Sequence, residues 1–481
     1  MTLSTLLTIA VPEIIILIAA MSVLLLGVFY KNTTSLFGIT QLTLLIAAYF
    51  TAQLPIDVKL TAFNEMFIAD SLSMFLKLLS YFALSLVLIY SRSFLQSRNL
   101  HNGEFYALTL FALLGINLII SSYHLLSLYM GLELLSLSLY TLVAFDRNRP
   151  EATEAAMKYF VLGAVASGFL LYGFSMLYGI TGSLQIAEIS SRLTDASINP
   201  VVLSFALVFV VVGIAFKFGA APFQLWVPDV YQGSATPITM FIGSVPKFAS
   251  VAMLIRLLFQ GLDHMVLDWQ AMLLIMAIVS MLFGNITAIA QTKIKRLLAY
   301  SAISHVGFMF LGLATGTITG IASALMYIAV YVLMTLASFG LIIHLSNQGK
   351  ELDQITDLSG LGKQKPWCAF LLLLIFLSLA GIPPTIGFYA KFSIIQATIQ
   401  FGWIWPAVIA VMSALIGIFY YLRIIKVAYF DEPGKNLNQV SKSSNNELSV
   451  TLSINTISLL IIGLFPSSLM DIATMTSALI F

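Results

Sequence analysis

Charge is what this sequence has least of. Asp, Glu, Lys and Arg make up 9% of its 481 residues and apolar types 59%, whereas soluble domains carry about 25% charged residues. Such a chain cannot clothe a water-facing surface, and its composition marks an integral membrane protein. The single cysteine, Cys368, excludes a disulfide framework, a cysteine-based zinc site and an iron–sulfur cluster held by this chain alone. No strand pattern is visible and no glycine-rich dinucleotide fingerprint follows one, so a nucleotide-binding redox domain is excluded. The opening stretch MTLSTLLTIAVPEIIILIAAMSVLLLGVFY lacks a basic leader and is too long for a cleaved signal core. It predicts a spanning helix kept in the mature protein.

What is present is a succession of apolar runs. About fourteen reach the roughly 20 residues that a span needs, and the fold class is all-α and polytopic. Positive charge falls in every second loop: Lys31; Arg92 and Arg98; Arg147 and Arg149; Lys293, Lys295 and Arg296; Lys350, Lys363 and Lys365; Lys426, Lys435 and Lys442. The intervening loops hold only Lys59 and Arg192. Basic loops stay on the cytoplasmic side, which predicts that both termini face outward. The loop around Asp229 is the one inside loop without a positive charge.

Several cations lie where lipid should be: Lys77, Lys158, Lys217, Lys247 and Lys391, with Arg256 nearer a span end and His305 among them. An ionised side chain at mid-membrane costs about 2.5–3.5 kcal/mol on the lenient insertion scale, so these residues point to a bundle interior or a wet path. For Lys77 and Arg256, snorkelling to the interface is an equal reading. Three of the lysines adjoin helix breakers. Lys217 precedes Pro222, Lys247 follows Pro246, and Lys391 follows Pro383 and Pro384. Proline frees a carbonyl, and loose backbone groups at membrane depth are tolerated only where protein or water satisfies them. The bland alternative is a packing kink.

Glu133 is the one carboxylate expected deep in the membrane. Tyr129, Glu133, Ser136 and Tyr140 share a helix face. Measured from their common loop, Glu133 lies about 18 Å and Lys158 about 10 Å up adjacent helices, within reach of a switchable pair. Further on, Ser301, Ser304 and His305 form one side, and Tyr327, Tyr331, Thr335 and Ser338 the next polar stripe. A haem would need a second buried histidine facing His305, and His124 and His344 fall near span ends. No Asp or Glu occurs between Asp268 and Glu351 or between Asp357 and Asp431. At least four lysines against one carboxylate cannot all be charged together, which suits proton transfer better than substrate binding.

The broken spans are the seventh and twelfth. Five apart, they place spans four to eight and nine to thirteen in opposite senses, an inverted repeat of the transporter kind. The expected division is 1–104, 105–260, 261–430 and 431–481. The strings KRLLAYSAISHVGF, WVPDVYQGSATPITMFIGSVPKFA and AGIPPTIGFYAKF resemble the antiporter-like proton-channel subunits of respiratory complex I, over essentially the whole chain. The absence of a long lateral helix favours the N branch over L, and Lys391 argues against M, where a glutamate is expected. The resemblance implies a coupling pair at Glu133 and Lys158, a row continued by Lys217 and Lys247, a relay at His305 and an exit-side switch at Lys391. It implies that NADH, FMN, iron–sulfur clusters and quinone belong to partner subunits and that this chain binds no cofactor or metal. The partners would be the M, K, J, A, H and L relatives in a bacterial inner membrane, with no nucleic acid. Two other readings stay open. A sodium/proton antiporter subunit would show sodium-dependent exchange, though sodium prefers carboxylate-rich sites. A non-conducting scaffold would tolerate loss of Glu133 or Lys217.

Overall fold

Inside a bilayer, backbone polar groups find no water, and a helix satisfies them within one segment. The computed structural model describes residues 3–29, 33–56, 58–194, 198–346, 351–432 and 446–480. Lys31, Lys350, Lys435 and Lys442 lie outside them. The helices are α1 (Leu3–Phe29), α2 (Thr33–Ala52), α3 (Ser71–Ser97), α4 (Gly103–Ile120), α5 (Leu125–Val143), α6 (Pro150–Thr181), α7 (Ile186–Arg192) and α8 (Pro200–Phe218). Then come α9 (Trp226–Gly233), α10 (Thr236–Gly243), α11 (Pro246–Leu254), α12 (Val266–Ile289), α13 (Ile294–Ala314), α14 (Ile318–Leu345) and α15 (Leu361–Gln364). The last five are α16 (Pro366–Ala380), α17 (Ile386–Gln400), α18 (Ile404–Phe430), α19 (Asn446–Leu464) and α20 (Ser467–Ala478). Among the described residues, 13 helical stretches are long and apolar enough to cross a membrane. The pair α16 and α17, 15 residues each, completes one further, interrupted span.

One small departure is a hairpin of β1 (Leu60–Ala62) and β2 (Phe67–Ala69), antiparallel with Thr61 opposite Ile68. Strands of three residues show too little alternation to be read from sequence. Asp70 then starts α3 with a capping box: its carboxylate accepts from the Ser73 amide at 2.9 Å, and the Ser73 hydroxyl accepts from the Asp70 amide at 2.9 Å.

The interruptions fall at the breakers. Helix α8 stops at Gly219, passes Pro222 and resumes as α9. Helix α10 ends before Pro246 opens α11, which runs on into a π-helical turn, Ile255–Gly261. Helix α16 stops at Gly381, and Pro383 and Pro384 separate it from α17.

The basic loops gather at one end of the bundle. Glu351 accepts from Lys295 at 3.0 Å and Arg98 at 3.3 Å, and lies 3.4 Å from Arg149. Lys293 pairs with Asp353 at 3.2 Å and Arg92 with Glu447 at 3.4 Å. The Thr33 hydroxyl and His101 Nδ1, 2.6 Å apart, tie the start of α2 to the same end.

One expectation needs correction, and one open alternative closes. Glu133 is not the only deep carboxylate: Glu13 is buried on α1, 2.6 Å from the buried ammonium of Lys77 on α3. Arg256 does not snorkel either. It donates through both terminal nitrogens to Asp70 at 2.7 Å, and to Gln260 and the Ile120 carbonyl. Burial favours the protonated Asp70 carboxyl, but Arg256 outweighs it and holds the group below its ordinary range.

Lys77→Met leaves Glu13 without a counter-ion and should lower stability by about 3–5 kcal/mol, whereas adding Glu13→Leu should recover most of the loss. Thermal unfolding of the purified variants checks this. At the basic end, burial pushes the Glu351 carboxyl up, but Lys295, Arg98 and Arg149 together hold it below the ordinary glutamate value. A depressed carboxylate stabilises the fold above its unfolded value, about 4.3, and the contribution is lost as pH falls through the lower folded value. Hydrogen-exchange protection at Ile355–Leu358, taken relative to the intrinsic rate at each pH, should therefore be unchanged above about pH 5 and fall only below about pH 4.

Candidate functional site

Helix α5 carries Glu133 and Ser136 and is held close to α4 by facing glycines. A Cβ on Gly115 would lie 2.6 Å from the Leu135 amide nitrogen, and one on Gly131 would lie 2.9 Å from Leu118 Cβ. Such small-residue contacts let backbones approach in a membrane. From α8, Lys217 donates to the Ser136 hydroxyl at 2.8 Å, and that hydroxyl donates onward to the Leu132 carbonyl at 2.6 Å. Beside them is a cavity of about 30 Å³ lined by Ser136, Tyr159, Lys217, Pro246 and Ser250, close to the space of one water. Glu133 is near enough to act on Lys217 through its charge, and its buried Oε1 has no hydrogen-bond partner. Tyr140, one turn beyond Ser136, stacks edge-on against Tyr159, whereas Tyr129 is only partly buried.

Lys158 is not paired with Glu133. It is exposed on the side of α6, 2.9 Å from Asp229 and 2.8 Å from Glu154. Spacing along two helices does not fix the facing direction. The counter-ion sits on α9, a segment that the sequence places in an inside loop and marks only by its family resemblance.

The interrupted helices explain the other lysines. A helix end leaves carbonyls without partners and carries the negative pole of its dipole. Lys247 of α11 is buried and donates to the Phe218 carbonyl at 2.6 Å, at the end of α8. Lys391 of α17 is buried and donates to the Leu379 and Ala380 carbonyls at 2.9 and 3.0 Å, at the end of α16. Break and cation thus satisfy each other. Gly381 permits this with a φ of 80°, and a Cβ there would come 2.8 Å from Lys391 Cδ.

His305 lies between two hydroxyls. Its Nδ1 is 2.6 Å from the Tyr327 oxygen and its Nε2 is 3.2 Å from the Tyr421 oxygen, which also meets the Ser301 hydroxyl. The Tyr331 ring is 5.4 Å from the imidazole, and the buried Tyr231 hydroxyl has no hydrogen-bond partner among the described residues. Ser304 is buried on the same helix. Tyr421 and Tyr231 escaped the sequence reading, and Asp229 entered it only as the mark of a loop without positive charge. Tyr421 adjoins Tyr420 in IFYYLRI, which carries no polar periodicity, and only the fold brings α18 to His305.

The site therefore presents protonatable groups separated by hydroxyls, buried tyrosines and freed carbonyls. Residues 122–417 match the family described as NADH:quinone oxidoreductase/Mrp antiporter, TM, and residues 13–121 match NADH-ubiquinone oxidoreductase chain 4, amino terminus. Over 466 residues the chain is 53% identical to NADH-quinone oxidoreductase subunit N of Methylovorus glucosotrophus, covering 96% of both. The chain belongs to the NADH–quinone oxidoreductase subunit N family. A chain in the respiratory complex I of Thermus thermophilus with bound aureothin superposes with a TM-score of 0.81 at 30% identity, over 96% of this chain and 98% of that one. A chain of the Mrp complex from Dietzia sp. shares the fold, with a TM-score of 0.84 at 18% identity over 98% and 97% of the two chains. Subunit N family membership makes this a membrane-arm subunit of a multisubunit redox enzyme, with buried charged residues in its bundle. Among the described residues, no three or more His, Cys, Asp or Glu side chains gather as metal ligands.

Gly381→Ala forces a left-handed backbone on an L-residue, at about 1–2 kcal/mol, and presses on the Lys391 stem. It should lower the melting temperature of the purified complex, while Gly402→Ala, with no atom within 4 Å of its Cβ position, keeps the backbone strain without that contact. A larger loss for Gly381→Ala than for Gly402→Ala is the expected result.

Proposed function

We propose that the chain is a proton-translocating subunit of the membrane arm, in which protons pass along Glu133, Lys217, Lys247, His305 and Lys391, with Lys158 as a mobile cation at the edge. Quinone reduction in partner subunits drives the transfer, and those subunits hold NADH, FMN, iron–sulfur clusters and quinone. The observation that carries this reading is the placement of Lys217, Lys247 and Lys391 on a hydroxyl or on freed carbonyls, with no carboxylate in hydrogen-bond contact with them. A lysine held by neutral acceptors retains somewhere to point whether it is ammonium or amine. A buried ion pair such as Lys77 with Glu13 has no such freedom.

Charge alone suffices as the drive. A unit charge moved to about 7 Å at an effective dielectric near 20 changes the energy by about 2.4 kcal/mol, close to two powers of ten in a protonation equilibrium. Hydroxyls of Ser136, Ser301, Tyr327, Tyr331 and Tyr421, with water between them, bridge the longer gaps. The basic end faces the cytoplasm by the positive-inside bias, and both termini face the opposite side. Spans four to eight and nine to thirteen act as the two inverted units. The M, K, J, A, H and L relatives supply the rest of the arm.

Lys217→Met in an assembled complex should lower NADH-driven proton pumping into membrane vesicles by about 100-fold or more, the scale of a lost acid–base group. Sodium should have no effect on the rate. Wild-type pumping by this variant would reject the conducting role in favour of a scaffold, and sodium-dependent exchange would favour the antiporter.

A further inference from the structure

Lys158 stands on a face of α6 that also exposes Val161, Leu162 and Val165. Such a face meets lipid or an apolar neighbour, so a cation on it needs counter-ions. It has two, and one of them is shared. Asp229 accepts from Lys158 through Oδ2 and from Arg296 through Oδ1, each at 2.9 Å. Arg296 opens α13, the helix of Ser301 and His305. Helix α9, which carries Asp229, packs against both α6 and α13, and Tyr159 stacks on Trp226 at 4.6 Å to fix that register. Meanwhile Glu133, on α5, which also packs against α6, keeps a buried oxygen without a hydrogen-bond partner.

We propose that Asp229 is a positioning residue that latches Lys158 to α13 through Arg296, linking the two halves of the bundle. While Lys158 rests on Asp229, Arg296 shares its carboxylate. When Lys158 swings to the vacant oxygen of Glu133, Asp229 is left to Arg296 alone, their attraction tightens, and α13 is pulled toward α9. A charge movement at the first half is thereby felt at the His305 relay without a proton having crossed between them. No bond is made or broken in this step. It rests on the proton-transfer reading above.

The test uses assembled complex in vesicles, reading protons pumped per NADH oxidised and the pH profile of pumping. Asp229→Asn should lower the ratio by about five-fold or more, while Asp229→Glu retains most of it. Arg296→Gln, which keeps the Lys158 contact and severs the arm to α13, should also lower it. The exchange Asp229→Arg with Arg296→Asp restores the α9–α13 pair but repels Lys158, and should stay at the Asp229→Asn level. A wild-type ratio and pH profile in Asp229→Asn or Arg296→Gln, or full recovery in the exchange, would overturn the latch. If Asp229→Asn fails to assemble, Arg296→Gln and the exchange decide in the same way. Lys217→Met run alongside separates the two claims. If it also pumps normally the proton-transfer reading fails; if it is dead while the Asp229 and Arg296 variants are normal, only the latch fails.

Discussion

An ammonium group in hydrocarbon must find acceptors, and this constraint orders the whole bundle. The chain meets it in two ways. Where an ion only holds helices together, it is given an opposite charge: Lys77 with Glu13, Arg256 with Asp70, Lys295 with Glu351. Where the ion lies in the candidate path, it is given a hydroxyl or the raw end of a broken helix instead. Buried as these three pairs are, the first arrangement locks a charge in place, unlike the exposed pairs of Lys158. The second leaves it free to be lost and regained.

The helix interruptions follow from the same requirement. A continuous helix spends every carbonyl on its own ladder and offers a buried lysine nothing. Stopping α8 at Gly219 and α16 at Gly381 leaves terminal carbonyls inside the bundle, and Lys247 and Lys391 take them up. Either feature alone would be costly; together they are mutually satisfied. The two lysines reach their carbonyls differently, Lys247 from a neighbouring span and Lys391 from beyond the break in its own.

Spans, breaks and the gathering of basic loops were legible because they are one-dimensional properties: apolar length, proline position and the parity of charge. Lys217, Lys247, His305 and Lys391 stood out for the same reason, as polar residues within apolar runs. Partner choice was not legible. Depth along α5 and α6 put Glu133 and Lys158 near each other, but rotation about α6 turned Lys158 toward α9. Glu13 was passed over because its partner is on another helix, and Arg256 because Asp70 looks like a loop residue until α3 is capped by it. Tyr421 reads as an ordinary membrane aromatic, and only the packing of α18 brings it to the imidazole.

The central claim is that the lysines and the histidine are joined by a continuous, water-assisted chain of proton carriers. The most direct measurement is a map of the assembled complex at a resolution that shows ordered water. Waters filling the space from Lys217 past Lys247 and His305 to Lys391, within hydrogen-bond distance of their nitrogens or of intervening hydroxyls, are the predicted result. Dry apolar packing between any neighbouring two of them, in every state of the working enzyme, would contradict it.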